Sequence, residues 1–311
     1  MTSLAIVVPC YNEEKVLAET ASRLAEVLAG LKRSEKVSPA SRIYFVDDGS
    51  TDSTWTMIVK EAERRPYVKG IKLSRNCGHQ IALLAGLFEC DGDAVISVDA
   101  DLQDDLAAIH QMVEAFNCGS EIVFGVRKSR GSDTFFKRLT AESYYRMLAL
   151  FGVPVIFNHA DYRLMSRRAV EALRQYGEVN LFLRGLIPQI GLQTSIVYYN
   201  RAQRFAGNSK YPPRKMLSLA AQGVTSFSLA PLRLISGIGV AVSLTSFLLS
   251  IWAIGAKLLT NAAVPGWAST VLPIYFLGGV QLLALGVIGE YLGKMYMETK
   301  RRPRYFIDRT T

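Results

Sequence analysis

Four short apolar runs in the first hundred residues, each closed by a polar turn and followed by a helix-length segment, leave this chain few folds to adopt. The runs span 4–8, 42–46, 68–73 and 93–98 and are rich in Val and Ile. Apolar, β-branched runs of this length read as buried strands. Strands alternating with helices predict an α/β fold, a parallel sheet joined by right-handed crossovers. In such a sheet, ligands bind beyond the carboxyl ends of the strands. The turns at those ends are therefore where chemistry is expected.

The fourth run delivers Asp99-Ala100-Asp101-Leu102-Gln103-Asp104. Two carboxylates one residue apart, with an amide oxygen close by, suit Mg²⁺ or Mn²⁺ and the diphosphate such an ion carries. The plainer reading is an Asp-rich helix N-terminus. The first run ends in Pro9-Cys10-Tyr11-Asn12-Glu13-Glu14, where Asn12 reads as the N-cap of a helix reaching about residue 31. The second ends in Asp47-Asp48-Gly49-Ser50 and the third in Ser74-Arg75-Asn76, shortly before His79. Further along, a strand over 121–126 leads to Arg127, Lys128 and Arg130, and a helix is expected over 133–150. Asp161-Tyr162-Arg163-Leu164-Met165-Ser166 precedes another helix. A strand over 195–199 runs into a basic, glycine-containing loop that holds Arg201, Arg204 and Lys210.

The C-terminal third differs in kind. Mean hydropathy is positive, +0.17, and the apolar excess lies almost wholly after Pro231. Residues 237–256 and 269–289 carry no charge and are long enough to span a bilayer. Residues 213–233 mix apolar and polar side chains, as an interfacial amphipathic helix does. Basic residues stand before the first span (Arg214, Lys215, Arg233) and after the second (Lys294, Lys300, Arg301, Arg302, Arg304). The positive-inside rule then places both termini and the N-terminal domain in the cytoplasm, with a multi-pass anchor in the inner membrane. The expected organisation is a catalytic domain over 1–211, an interfacial segment over 212–233, two transmembrane helices over 234–293 and a basic tail over 294–311. Net charge is +9, but Lys and Arg gather near the apolar tail, which points to a membrane lipid surface and away from nucleic acid. The four cysteines lack zinc-ligand or CxxC spacing and read as reduced thiols. No signal peptide is expected from the first residues.

Taken in order, these turns, the Asp161–Ser166 motif, the late Arg-x-x-Arg-x-x-Gly-x-Ser-Lys loop and the paired spans resemble the inverting family 2 glycosyltransferases with a GT-A fold. Within them the resemblance is to the polyprenyl-phosphate branch, the dolichyl-phosphate mannose synthases and bactoprenol glucosyltransferases. It implies a Rossmann-like mixed, mainly parallel sheet with helices on both faces. It also implies transfer of one sugar, UDP-glucose being the first choice of donor, to undecaprenyl phosphate at the cytoplasmic face of the membrane. The resemblance assigns Asp99, Asp101 and Gln103 to the metal. Pro9, Tyr11, Glu13, Asp48 and Asp99 fall to the donor nucleotide, and Asp101, Asp161 and Arg127 to catalysis. Assembly into homo-oligomers is expected as well. A polyprenyl phosphate is already an anion, so a strong base is optional and cationic positioning is what it needs. Arg127, Arg201, Arg204 and Lys210 supply that. Asp161 serves either as a base or by orienting an arginine. Two alternatives remain open from sequence: transfer to a lipid or sugar hydroxyl, and a membrane subunit that only senses nucleotide sugars.

Overall fold

The first apolar run forms β1 (Leu4–Cys10), buried along its whole length. It extends through Pro9, which lacks an N–H. That is tolerated because the neighbour on one side ends opposite Val7, leaving Pro9 paired on the other side only. The computed structural model describes residues 1–128, 159–179, 182–200, 230–259 and 267–311. They fall into two units, Met1–Ala220 with Arg301–Thr311, and Ala221–Lys300.

In the first unit the chain continues through α1 (Leu17–Arg33), β2 (Arg42–Asp47), α2 (Thr54–Arg64), β3 (Val68–Leu73), α3 (His79–Glu89), β4 (Ala94–Ser97), α4 (Ala108–Asn117) and β5 (Ile122–Arg127). Then come β6 (His159–Ser166), α5 (Arg167–Arg174), α6 (Leu183–Gln189) and β7 (Thr194–Tyr199). After the second unit, β8 (Ile307–Thr310) returns to this sheet. The strand order is β7-β5-β6-β4-β1-β2-β3-β8. Strands β4, β1, β2 and β3 are mutually parallel, β5 is parallel to β7, and β6 runs antiparallel between β4 and β5. The sheet is therefore mixed and mainly parallel.

Alternate strand residues feed two layers. Ile6, Val8, Ile43, Phe45 and Ile96 pack with Leu17, Leu24 and Leu28 of α1 and with Ile109, Met112 and Val113 of α4. The spacing of the α1 residues makes one apolar stripe. On the other face α3 lies so close that a Cβ on Gly86 would stand 2.3 Å from the Val7 side chain. Burying that much aliphatic surface, at about 25 cal/mol per Å², is the main force holding the layers together.

Two expectations change here, and one motif that had no assigned element gains one. Asn12 does not cap α1. The helix begins at Leu17, and Asn12 takes φ +53° while its amide oxygen accepts the Thr51 N–H at 2.9 Å, bracing the turn after β2 instead. The motif around Asp161 is a strand, β6, inserted between β4 and β5. The end of the expected basic tail is not loose: β8 pairs antiparallel with β3 and covers an otherwise open sheet edge. The helix expected over 133–150 and most of the interfacial segment lie outside the described residues.

The second unit holds α7 (Ala230–Leu259) and α8 (Trp267–Lys300). Among the described residues one segment, Phe276–Lys300, is long and apolar enough to cross a membrane, with a mean hydropathy of 1.5. The expectation of two spans thus meets one such segment. Large apolar side chains are exposed along both helices, including Leu234, Phe247, Trp252, Phe276 and Leu282. The hydroxyls of Ser236 and Thr245 donate to the carbonyls of Leu232 and Ala241, satisfying their polarity within α7.

Candidate active site

Strand direction and order assemble the site. The C-terminal ends of β4, β1 and β2, which are neighbours, bring residues 99–104, 9–13 and 47–50 side by side. Because β6 is antiparallel to β4, its first residues reach the same edge and place Asp161 there. The parallel pair β5 and β7 ends on that edge too, with Arg127 and Tyr199. Arg201, Arg204 and Lys210 lie outside the described residues.

The loop after β4 is tightly held. Thr20 of α1 donates its hydroxyl to the Ala100 carbonyl at 2.8 Å. Leu102 adopts φ +56°, a left-handed conformation uncommon for a branched residue, and the Gln103 N–H reaches Asp101 Oδ1 at 3.2 Å. Asp99 keeps 36% of its side chain exposed, yet desolvation pushes its carboxyl up, against the opposing influence of the His79 ring, whose Nε2 is 3.5 Å away. A carboxylate in that setting gains from a cation. The donor set of Asp99, Asp101 and Gln103 is all oxygen. Two carboxylates are what a protein contributes to Mg²⁺ or Mn²⁺ when phosphate oxygens and water fill the rest of the shell. Among the described residues no three His, Cys, Asp or Glu side chains form a closed cage. These residues fit a metal shared with a bound phosphate.

On the donor side, Pro9 is in β1, Tyr11 is 37% exposed just beyond it, and the Glu13 N–H donates to Thr54 Oγ1 at 2.9 Å. Asp48 is buried, and its two oxygens accept N–H groups of Cys77 at 2.7 Å and Gly78 at 2.9 Å. Burial still pushes its carboxyl up. Asp48 thereby ties the turn after β2 to the loop before α3. Gly49 permits this contact: it has φ +64°, and a Cβ there would stand 2.6 Å from the Arg75 main chain. Asp47 accepts the Ser50 N–H through Oδ1 and buries Oδ2 without a partner.

Two ion clusters flank the edge on opposite faces of β6. On the α3 face, Asp161 meets Arg163 Nη2 at 2.5 Å through Oδ1, and Arg184 Nε at 3.3 Å and Nη2 at 3.0 Å through Oδ1 and Oδ2. His79 Nε2 is 3.8 Å from Oδ2. Burial opposes the charge on Asp161, but Arg184, Arg163 and the His79 ring outweigh it and hold the carboxyl well below its usual range. On the other face, Tyr199 donates its hydroxyl to Asp104 Oδ1 at 2.6 Å and receives Arg127 Nε at 3.2 Å. Arg127 Nη2 stands 3.6 Å from Asp104. Burial, with the Asp99 charge adding to it, pushes the Asp104 carboxyl up to about 6. Tyr162 closes this network with an edge-on ring contact to Tyr199 and a hydrogen bond to the Asp105 carbonyl.

Sequence reading did not anticipate Arg163, Arg184 or Tyr199. Arg163 sits two residues after Asp161, which on a strand means the same face. That spacing was the available signal.

Residues 5–174 match the family described as Glycosyl transferase family 2. The "Uncharacterized glycosyltransferase YkoT" of Bacillus subtilis (strain 168) is 50% identical over 309 residues, which cover 98% of this chain and 91% of that protein. The "Bactoprenol glucosyl transferase" of Shigella phage SfX is 40% identical over 306 residues, 98% of each chain. Among solved structures, glucosyl-3-phosphoglycerate synthase from Mycobacterium tuberculosis in complex with phosphoglyceric acid has a TM-score of 0.51, with 73% of this chain and 79% of that one covered at 18% identity. At that identity the likeness is one of fold.

Proposed function

Because the chain belongs to the family 2 glycosyltransferases, we propose that it moves one sugar from a nucleotide-diphosphate sugar, UDP-glucose first among them, to undecaprenyl or another polyprenyl phosphate, with inversion. The observation that carries this reading is the sheet edge itself: Asp99 and Asp101 stand on it with Arg127 and Arg184, so one edge offers both a metal's ligands and cations for phosphate. The end-to-end identity with proteins named bactoprenol glucosyl transferase supports the choice of acceptor.

Asp99 and Asp101, with Gln103 beside them, would hold a divalent ion, Mg²⁺ or Mn²⁺, which would supply charge neutralisation for the departing nucleotide diphosphate. Pro9, Tyr11, Glu13 and Asp48 line the nucleotide's end of the site. An acceptor phosphate oxygen bonds to the anomeric carbon as the bond to the diphosphate oxygen breaks. The electron pair leaves with the nucleotide diphosphate. Arg127, with Arg201, Arg204 and Lys210 further along the sequence, brings the second anion close to the first. The apolar segment Phe276–Lys300 supports a membrane site, where a polyprenyl lipid resides. We extend this to two spans through α7, to catalysis on the cytoplasmic face, and to assembly of copies within the membrane.

The test is direct. Purified protein with Mn²⁺, UDP-glucose and a short polyprenyl phosphate is expected to make a glucosyl lipid monophosphate, identified by mass. Asp101→Ala is expected to lose nearly all turnover. Unchanged turnover in that variant sinks the metal assignment, and product formed only on hydroxyl acceptors sinks the acceptor.

A further inference from the structure

Among the described residues Arg163 is the largest side chain wholly enclosed, at 1% exposure, in the middle of the sheet between β4 and β5. A guanidinium there is costly unless paired. Its Nη2 donates to Asp161, while Nε and Nη1 are buried without a partner. The main chain around it is fixed, because the Ser97 hydroxyl of β4 bonds the carbonyls of both Asp161 and Arg163. Asp161 therefore faces a buried cation on its own strand and a second, Arg184, from α6. His79 of α3 is beside Oδ2, and Asp99 lies beyond His79.

Arg184 is the outer of the two guanidiniums on Asp161, with 36% of its side chain exposed. A general base needs an accessible lone pair and a pKa near the working pH. Asp161 fits this poorly: it is buried, Oδ1 accepts from two guanidiniums and Oδ2 from one, and those donors stay charged.

We propose that Asp161 is not a proton acceptor but the anionic anchor of a two-arginine phosphate receptor, in which Arg184 meets a substrate phosphate and Arg163 is the positioning residue behind the anchor. This deepens the glycosyl-transfer reading and rests on it for the identity of the phosphates. Arg supplies the planar fork that phosphate recognition uses. The phosphate belongs either to the donor diphosphate or to the lipid acceptor.

The experiment uses the full chain in detergent and two probes: UDP with Mn²⁺, which has a diphosphate and no lipid, and farnesyl phosphate, which has a phosphate and no nucleotide. Arg184→Gln is expected to weaken one probe at least tenfold and leave the other within twofold. The weakened probe identifies the source of the phosphate. In turnover, Asp161→Asn is expected to lose about a hundredfold in kcat/KM. Adding Arg163→Met should recover at least tenfold of that, because it removes the buried charge left unbalanced; a lost base is not restored this way. Arg163→Lys, which keeps the charge, is expected to outperform Arg163→Met when Asp161 is present. The proposal is overturned if Arg184→Gln binds both probes as the wild type does, or if folded Asp161→Asn gains nothing from the second substitution. Absence of any turnover in the wild type would count against the polyprenyl acceptor alone, since the binding arms still report on the receptor.

Discussion

Successive residues of β6 serve two different electrostatic designs. Asp161 looks to the α3 face and lies among guanidiniums, while Tyr162 looks to the α1 and α4 face and packs beside Asp104 and Tyr199. Both carboxylates are buried, Asp161 at 9% exposure and Asp104 at 4%. Burial alone pushes each one up. The outcome differs because Asp161 has two guanidiniums in direct contact, whereas Asp104 has a neutral phenol and one arginine at 3.6 Å. Cation count and reach, not depth, set the sign of the shift.

The largest effect expected from this contrast is on the Asp161 side. Asp161→Asn leaves the buried Arg163 without the carboxylate it bonds, and unpairing a buried charge costs about 3–5 kcal/mol. Urea unfolding of the first unit's signal is the measurement, and a loss below about 1 kcal/mol would break the comparison. The pH dependence sharpens it. Asp161 is held below its ordinary value of 3.8, so its contribution is fully present above that pH and is lost as pH falls through it. The wild-type advantage over Asp161→Asn should thus be flat from pH 8 to 5 and shrink only in acid.

Asp104 should behave in the opposite sense and more weakly. Its carboxyl is raised to about 6, so the favourable protonated form is fully populated below the ordinary 3.8 and is lost as pH rises through 6. Asp104→Asn keeps an acceptor for Tyr199 and removes that cost. In buffer free of divalent ions, its melting temperature relative to wild type should climb between pH 4 and pH 7, by the equivalent of about 1–3 kcal/mol. A difference that falls with pH would show that Arg127 already compensates the charge in full.

The two designs were unequally legible in the sequence. Strands β1 to β5 announced themselves through apolar, β-branched runs, and so did the Asp99–Asp104 turn at the end of β4. Strand β6 did not, because Asp161 and Arg163 occupy one face and break the apolar pattern that marks a buried strand. Asp161 is also met by Arg184, 21 residues beyond Arg163, a pairing that only the tertiary fold creates. Asn12 misled for a related reason: an amide beside two acids reads as a helix cap, but its partner is Thr51 across the neighbouring strand end. The last strand, β8, carries four exposed residues and has no burial pattern to read.

The smallest effect expected is at the hinge between the designs, Tyr199. Its hydroxyl donates to Asp104 and accepts from Arg127, so it relays the arginine's charge to a carboxylate the arginine itself does not reach at hydrogen-bond distance. Tyr199→Phe keeps the edge-on packing with Tyr162 and removes only the relay. The expected cost is about 1 kcal/mol at pH 7, read as a lowered melting temperature. It should grow with pH across 5 to 7, because the bond is strongest when Asp104 is ionised. The same substitution in the Asp104→Asn background should cost less, since a neutral amide is the weaker acceptor. Equal costs in the two backgrounds would mean that Tyr199 only fills space, and that Arg127 and Asp104 act on each other directly.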